Sequence, residues 1–195
     1  NWLAKRHVIN LPAPYDRLDS ITLLGGVIAL AAWVIWPDHL ATSPVCTIAG
    51  LLHAARLERW QGWQTSDARL VLVLHLAYAA LPIGFFTVAL VPFGLIDAAS
   101  ALHVFTVGAI GLMTLAIMSR ATRGHTGLPL TAPLLTATSY GFLIAGAVMR
   151  PIALFWPNQY LTLVTASGLC WMVAFVLYLV EYAPALLTRR KARPE

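Results

Sequence analysis

Apolar residues run along this chain in six long blocks, each closed by a proline, a charge or a turn-forming residue. Read against caps and breakers, the blocks predict helices over about 18–36, 44–60, 66–92, 97–120, 131–149 and 158–187. The first follows Asp16, Asp19 and Ser20 and is closed by Pro37. The second is short, the third opens at the capping pair Ser66-Asp67, and the fourth begins near Asp97 and ends at Arg120. Pro82 inside the third predicts a kink, because it removes one backbone donor and crowds the preceding turn.

Blocks of this length approach or exceed the ~20 residues that cross ~30 Å of hydrocarbon. Composition agrees, with 59% hydrophobic and 11% charged residues and a mean hydropathy of +0.74; a water-soluble domain carries about twice that charged fraction. The expected fold is therefore all-α: a polytopic membrane bundle of about six transmembrane helices, forming a single domain over 1–195.

Charge placement gives the bundle a direction. Of the 13 Lys and Arg residues, Lys5, Arg6, Arg17, Arg56, Arg59, Arg69, Arg120, Arg123, Arg189, Arg190, Lys191 and Arg193 fall on one side. Arg150 alone falls on the other, beside loops holding Asp38 and Asp97. The positive-inside rule then puts both termini in the cytoplasm. The net charge of +5 follows from that bias and argues for no nucleic acid partner, since the bases are scattered over loops with no soluble reading domain. Trp60 and Trp63 in RLERWQGWQ, with Trp33, Trp36 and Trp156 at opposite helix ends, read as headgroup anchors.

Several chemistries drop out. Cys46 and Cys170 lie in apolar spans without CxxC spacing, which suggests neither a disulfide framework nor a zinc knuckle. There is no Ser or Cys nucleophile arrangement, no phosphate-binding glycine loop and no paired carboxylates for acid-base work. Glu181, the one acid well inside a span, reads as a solvated position near the cytoplasmic end or a partner for Arg189.

The histidines carry the candidate chemistry. An ionisable side chain on a spanning helix costs a few kcal/mol, so it usually faces the bundle interior, a cofactor or a water path. His53 lies ~10 Å above the cytoplasmic end of the second helix and His75 ~12 Å above the start of the third. Two imidazoles at matching depth on facing helices can ligate a haem iron from both axial sides. Arg56, one turn below His53, can meet a propionate, and Tyr78, one turn from His75, can support a ligand by a hydrogen bond. The alternative is that His53 and His75 hydrogen-bond to neighbouring helices or to each other. His103 enters from the opposite side and cannot easily share their metal; Gly108 and Gly111 on its helix admit another helix or a flat ligand. After that helix, Arg120, Arg123, Gly124, His125 and Gly127 make a basic, glycine-rich loop suited to an anion or to a solvated cytoplasmic turn.

At this point the residues resemble a known family. The segment LHVFTVGAIGLMTLAIMSRATRGHTGLPL resembles the signature of the NnrS family, haem- and copper-containing membrane proteins linked to nitric oxide metabolism. RLERWQGWQTSDARLVLVLHLAYAALPIG is similar to the family's preceding block, with Arg56, Trp60, Trp63, Thr65, His75 and Tyr78 in matching order. The terminal EYAPALLTRR is similar to its closing Tyr-Ala-Pro stretch. His75, His103, Arg120, Gly124 and His125 match, whereas Leu128 stands where an arginine often follows and Ala80 where a tryptophan is common.

The resemblance implies the carboxy-terminal half of a protein of about twelve spans in a bacterial inner membrane. It implies b-type haem, and copper on the family's account alone, in a protein that limits nitrosative stress or assists denitrification. Expected partners are membrane lipid, nitric oxide or a related small molecule, and the amino-terminal half with its Trp-His-x-His-Glu stretch. His75 and His103 are the expected metal ligands, with His125 on the same matching stretch and His53 a further haem candidate. Arg56 and Arg120 would hold haem carboxylates or gate anions. Two other readings stay open: half of a proton-coupled permease, with Pro82 and Pro92 breaking helices around a substrate path, or a non-catalytic scaffold in respiratory-complex assembly.

Overall fold

The computed structural model describes residues 11–187, so Lys5, Arg6, Arg189, Arg190, Lys191 and Arg193 of the charge argument lie outside the described residues. The helices are α1 (Arg17–Ile35), α2 (Thr42–Arg59), α3 (Arg69–Leu90), α4 (Ala98–His103), α5 (Leu112–Thr126), α6 (Leu134–Ala153) and α7 (Tyr160–Leu187). A π-helical stretch, Val104–Gly111, joins α4 to α5 in one continuous rod. Among the described residues there are thus six rods and no strand, one for each apolar block.

The ends of the helices follow local chemistry. Asp16 caps α1 by accepting from the Leu18 N–H at 2.9 Å, and Asp19 returns the favour to the Asp16 N–H at 3.0 Å, a reciprocal capping box. The Ser66-Asp67 pair does not cap α3, which starts at Arg69 behind Ala68 with no side-chain cap. A 3-10 turn, Gly62–Thr65, delivers the chain there, entered through Gln61 at a φ of 52°. The expected basic loop after Arg120 is also corrected: α5 continues to Thr126, because nothing before Gly127 breaks it. Gly127 takes a φ of 72°, and the Leu128 N–H reaches back to the Arg123 carbonyl at 2.9 Å. This is the left-handed stop that favours glycine.

Helix α3 is the central element, because it contributes to both apolar cores. Its first half places Leu70, Val73 and Ala77 against Leu112 and Leu115 of α5, Leu143 of α6 and Tyr178 of α7. Its second half places Phe85 and Val88 against Ala29 of α1, Cys46 of α2 and Phe105 of the π stretch. Small residues make the close approaches: a methyl on Gly84 would stand 2.8 Å from the Phe105 ring, and one on Gly108 3.0 Å from Ala80.

Among the described residues four rods are long and apolar enough to cross a membrane: Arg17–Ile35, Arg69–Phe93, Ala98–Thr126 and Pro157–Leu187. The apolar window of the last is only 17% buried, a surface that water would not tolerate and a lipid bilayer would. Helix α2, with Arg56, Glu58 and Arg59 in its last turn, falls short of that standard, as does α6, with Thr136, Ser139 and Arg150. Their polar groups are largely accommodated inside: Thr136 and Ser139 are buried, and Arg56 and Arg59 are paired.

Candidate functional site

The antiparallel α1 and α2 set two acids of one helix against two arginines of the other. Asp16 and Asp19 are three residues apart at the start of α1, as Arg56 and Arg59 are at the end of α2, so each pair shares a face. Arg59 grips Asp16 with two hydrogen bonds, at 3.0 and 2.6 Å. Arg56 Nε donates to Asp19 Oδ1 at 2.7 Å. The Arg59 hydrogen bond holds the Asp16 carboxyl below its ordinary value of 3.8, against the opposing effect of desolvation.

Arg56 carries the network inward. Its Nη1 donates to the Tyr78 hydroxyl at 3.0 Å, and that hydroxyl lies 2.7 Å from His53 Nδ1. Since arginine can only donate, the tyrosine proton is left for the imidazole. Trp60 covers the guanidinium at 4.9 Å and tilts onto the Tyr78 ring at 4.5 Å. His53 is 3% exposed and stacks on Phe85 at 5.3 Å. Its Nε2 edge faces Gly26, where a methyl would stand only 2.7 Å away. The expected trio of His53, Arg56 and Tyr78 is therefore assembled, but the carboxylate that Arg56 holds belongs to Asp19.

His75 lies on the other side of Trp60, with the two rings edge to face at 6.1 Å. Its Nδ1 is 3.0 Å from the Val71 carbonyl, which can only accept, so Nδ1 carries the proton and Nε2 the lone pair. Gly62 is held against the ring: a methyl there would meet Cδ2 at 2.6 Å.

His103 stands apart, at the junction of α4, α6 and α7. Its Nε2 donates to the Gly146 carbonyl at 3.1 Å, and Ser167 donates to the same carbonyl at 2.7 Å. The π stretch begins at the next residue, a departure from α geometry that is frequent at functional sites. Asp97 caps α4; burial alone would raise its carboxyl, but hydrogen bonds from the Ser100 hydroxyl and N–H hold it below the ordinary value.

The remaining candidates are more peripheral. Arg120 lines a cleft of about 450 Å³ with Asp67, Arg69 and Thr131. His125 is exposed in the last turn of α5. No three His, Cys, Asp or Glu side chains come together in a metal-binding group among the described residues.

Sequence reasoning missed two sets of partners. Asp19 was visible only as part of a cap, and Trp60 only as an anchor; the matching three-residue spacing of acids on α1 and arginines on α2 was the available signal. Glu181 pairs with Arg123, Oε1 to Nη1 at 3.4 Å, in place of the expected solvated position; Arg189, its other expected partner, lies outside the described residues. The helix extension past Arg120 brings this about, because it turns Arg123 into the bundle, where it is 5% exposed.

No curated protein and no solved structure matches the chain. One family model does, over residues 1–190, and its description is NnrS protein.

Proposed function

The chain belongs to the NnrS family, and on that premise we propose that it is a haem-bearing membrane protein of nitric oxide metabolism. In this reading it crosses a bacterial inner membrane several times with both termini in the cytoplasm. The family match and the membrane-length helices support the membrane and nitric oxide parts. The distribution of Arg17, Arg56, Arg59, Arg69, Arg120 and Arg123 against Arg150 supports the orientation.

The observation that carries the haem part is the His75 ring. An imidazole that ligates iron commonly anchors its other nitrogen on a carbonyl, which fixes the tautomer and the ring plane. Val71 provides that anchor at 3.0 Å, leaving Nε2 as the donor atom, and Gly62 and Trp60 restrict ring rotation. His103 has the complementary arrangement, with Nε2 anchored on Gly146 and Nδ1 left as donor. Each of these two residues would hold the group through its remaining ring nitrogen. When bound, haem supplies an iron centre that coordinates nitric oxide. His53 fits less well, since Tyr78, Phe85 and Gly26 already enclose its ring. Copper finds no set of three donors among the described residues.

The test is the visible spectrum of the detergent-purified protein, oxidised and dithionite-reduced, with and without nitric oxide. Soret and α bands that move with nitric oxide are expected in the wild type. His75→Ala and His103→Ala should each weaken or displace the bands of the haem which that histidine holds. An unchanged spectrum in both variants would remove the ligand assignment.

A second reading, half of a proton-coupled permease, is favoured by the continuous polar chain Asp19–Arg56–Tyr78–His53. It predicts pH-dependent solute uptake in vesicles and no pigment.

A further inference from the structure

Arg56, Arg59 and Arg123 each meet a carboxylate, of Asp19, Asp16 and Glu181 respectively. Arg69 and Arg120 meet none among the described residues, and both line the same cleft of about 450 Å³. Arg69 opens α3, Arg120 lies on α5, and Thr131, in the linker to α6, forms a further part of the lining. The Thr131 hydroxyl, like the two guanidiniums, has no hydrogen-bond partner among the described residues. Three separate segments thus bring three unused donor groups to one cavity.

The walls that carry them are tied down. Arg123 Nε donates to the Pro129 carbonyl at 2.6 Å, and the Thr131 N–H donates to the same carbonyl at 2.8 Å, which fixes the linker to α5. The Ala68 N–H donates to the Thr65 carbonyl at 2.9 Å, which fixes the start of α3 to the preceding turn. Leu70, Val71 and Ala132 complete an apolar part of the lining, and Leu70 is buried.

We propose that this cleft binds a phosphate group, borne by a phospholipid of the cytoplasmic leaflet or by free phosphate, with Arg69 and Arg120 as its clamps and Thr131 as a third donor. Two guanidiniums that cannot lose their charge repel each other in a shared cleft, and an anion between them reverses that cost. Asp67 also lines the cleft, so its one negative charge is set against two positive ones and an excess of positive charge remains. Apolar walls concentrate that field. A carboxylate holds its acceptors in one plane, whereas a tetrahedral phosphate spreads them in three dimensions, which suits donors that arrive from α3, α5 and the linker. In the proposed orientation the cleft lies at the cytoplasmic face, where lipid phosphates and dissolved phosphate are both at hand. The site needs no haem, so its test is independent of the histidine ligands.

The protein purified in dodecyl maltoside, a detergent without phosphate, is titrated in two arms. Calorimetry follows inorganic phosphate, and native mass spectrometry follows the fraction of protein carrying one added phosphatidylglycerol. Saturable binding is expected in at least one arm, weakened at least about tenfold in Arg69→Gln and in Arg120→Gln. Arg120→Lys, which keeps the charge but loses the fork, should bind with intermediate strength. Arg17→Gln removes a charge outside the cleft and should bind as the wild type does. Binding in the calorimetric arm alone assigns the site to free phosphate, in the lipid arm alone to a headgroup, and in both to the phosphate group whatever bears it. Both arginines are exposed, so the variants should fold, and circular dichroism checks this. No saturable binding in either arm, undiminished binding in the two glutamine variants, or an equal loss in Arg17→Gln overturns the proposal.

Discussion

At the scale of single residues, what matters is which partner each charge has. Arg56 is half-enclosed between Asp19, Tyr78 and Trp60, so removing the carboxylate leaves a desolvated cation facing a phenol. Asp19→Asn keeps the shape and removes the charge, and should destabilise the protein, read as a lower melting temperature. Asp16 behaves differently because it is at the surface. The hydrogen bond from Arg59 lowers its pKa from 3.8. A carboxyl depressed by folding adds stability above its unfolded pKa and loses it as pH falls through the folded value. The Asp16 contribution is thus complete at neutral pH and lost below about pH 4. Melting curves of wild type and Asp16→Asn should differ at neutral pH and converge on acidification.

At the scale of elements, glycines that look alike in the sequence have opposite roles. Gly26 in α1 is where α2 sends the His53 ring, with 2.7 Å to a would-be methyl. Tyr78 holds that ring in place, so Gly26→Ala must displace either the helix or the histidine, at about 1–3 kcal/mol. Gly124 and Gly141 also sit within helices, but a methyl there meets nothing within 4 Å. Gly124→Ala and Gly141→Ala should be neutral or stabilise by up to about 1 kcal/mol, through helix propensity alone. Thermal melts of the three variants check the order. The existence of the six rods was legible from the apolar blocks, whereas their ends were less so. Ser66-Asp67 reads as a cap yet is followed by an uncapped start at Arg69, and Arg120 reads as a terminus although α5 runs on to Thr126. Local signals locate potential stops; packing and the Gly127 turn decided which of them was used.

At the scale of the whole molecule, α3 couples two cores whose polar contents differ. The α1–α2 side holds Asp19, Arg56 and His53, while the α5–α6–α7 side holds Arg123, Glu181 and Tyr140. The proposed orientation puts the Asp16–Arg59 end in the cytoplasm and the turn at Gly94 outside. Alkaline phosphatase fused after Gly94 should therefore be active, and the same reporter at the carboxy terminus inactive; the reverse pattern would invert the bundle. By itself the sequence determined that the chain is helical, apolar enough for a bilayer, asymmetrically charged and similar to one family. Those properties depend on composition and on spacing along single helices, which the order of residues contains directly. It also supplied His53, Arg56, Tyr78, His75 and His103 as candidates. Only the tertiary structure decided that Arg56 belongs to Asp19, that Gly26 and Phe85 enclose His53, that His75 keeps a nitrogen free, and that Arg123 meets Glu181. A side chain's partner depends on how helices distant in sequence rotate and approach one another, and that rotation is set by the packing of whole faces rather than by any local pattern.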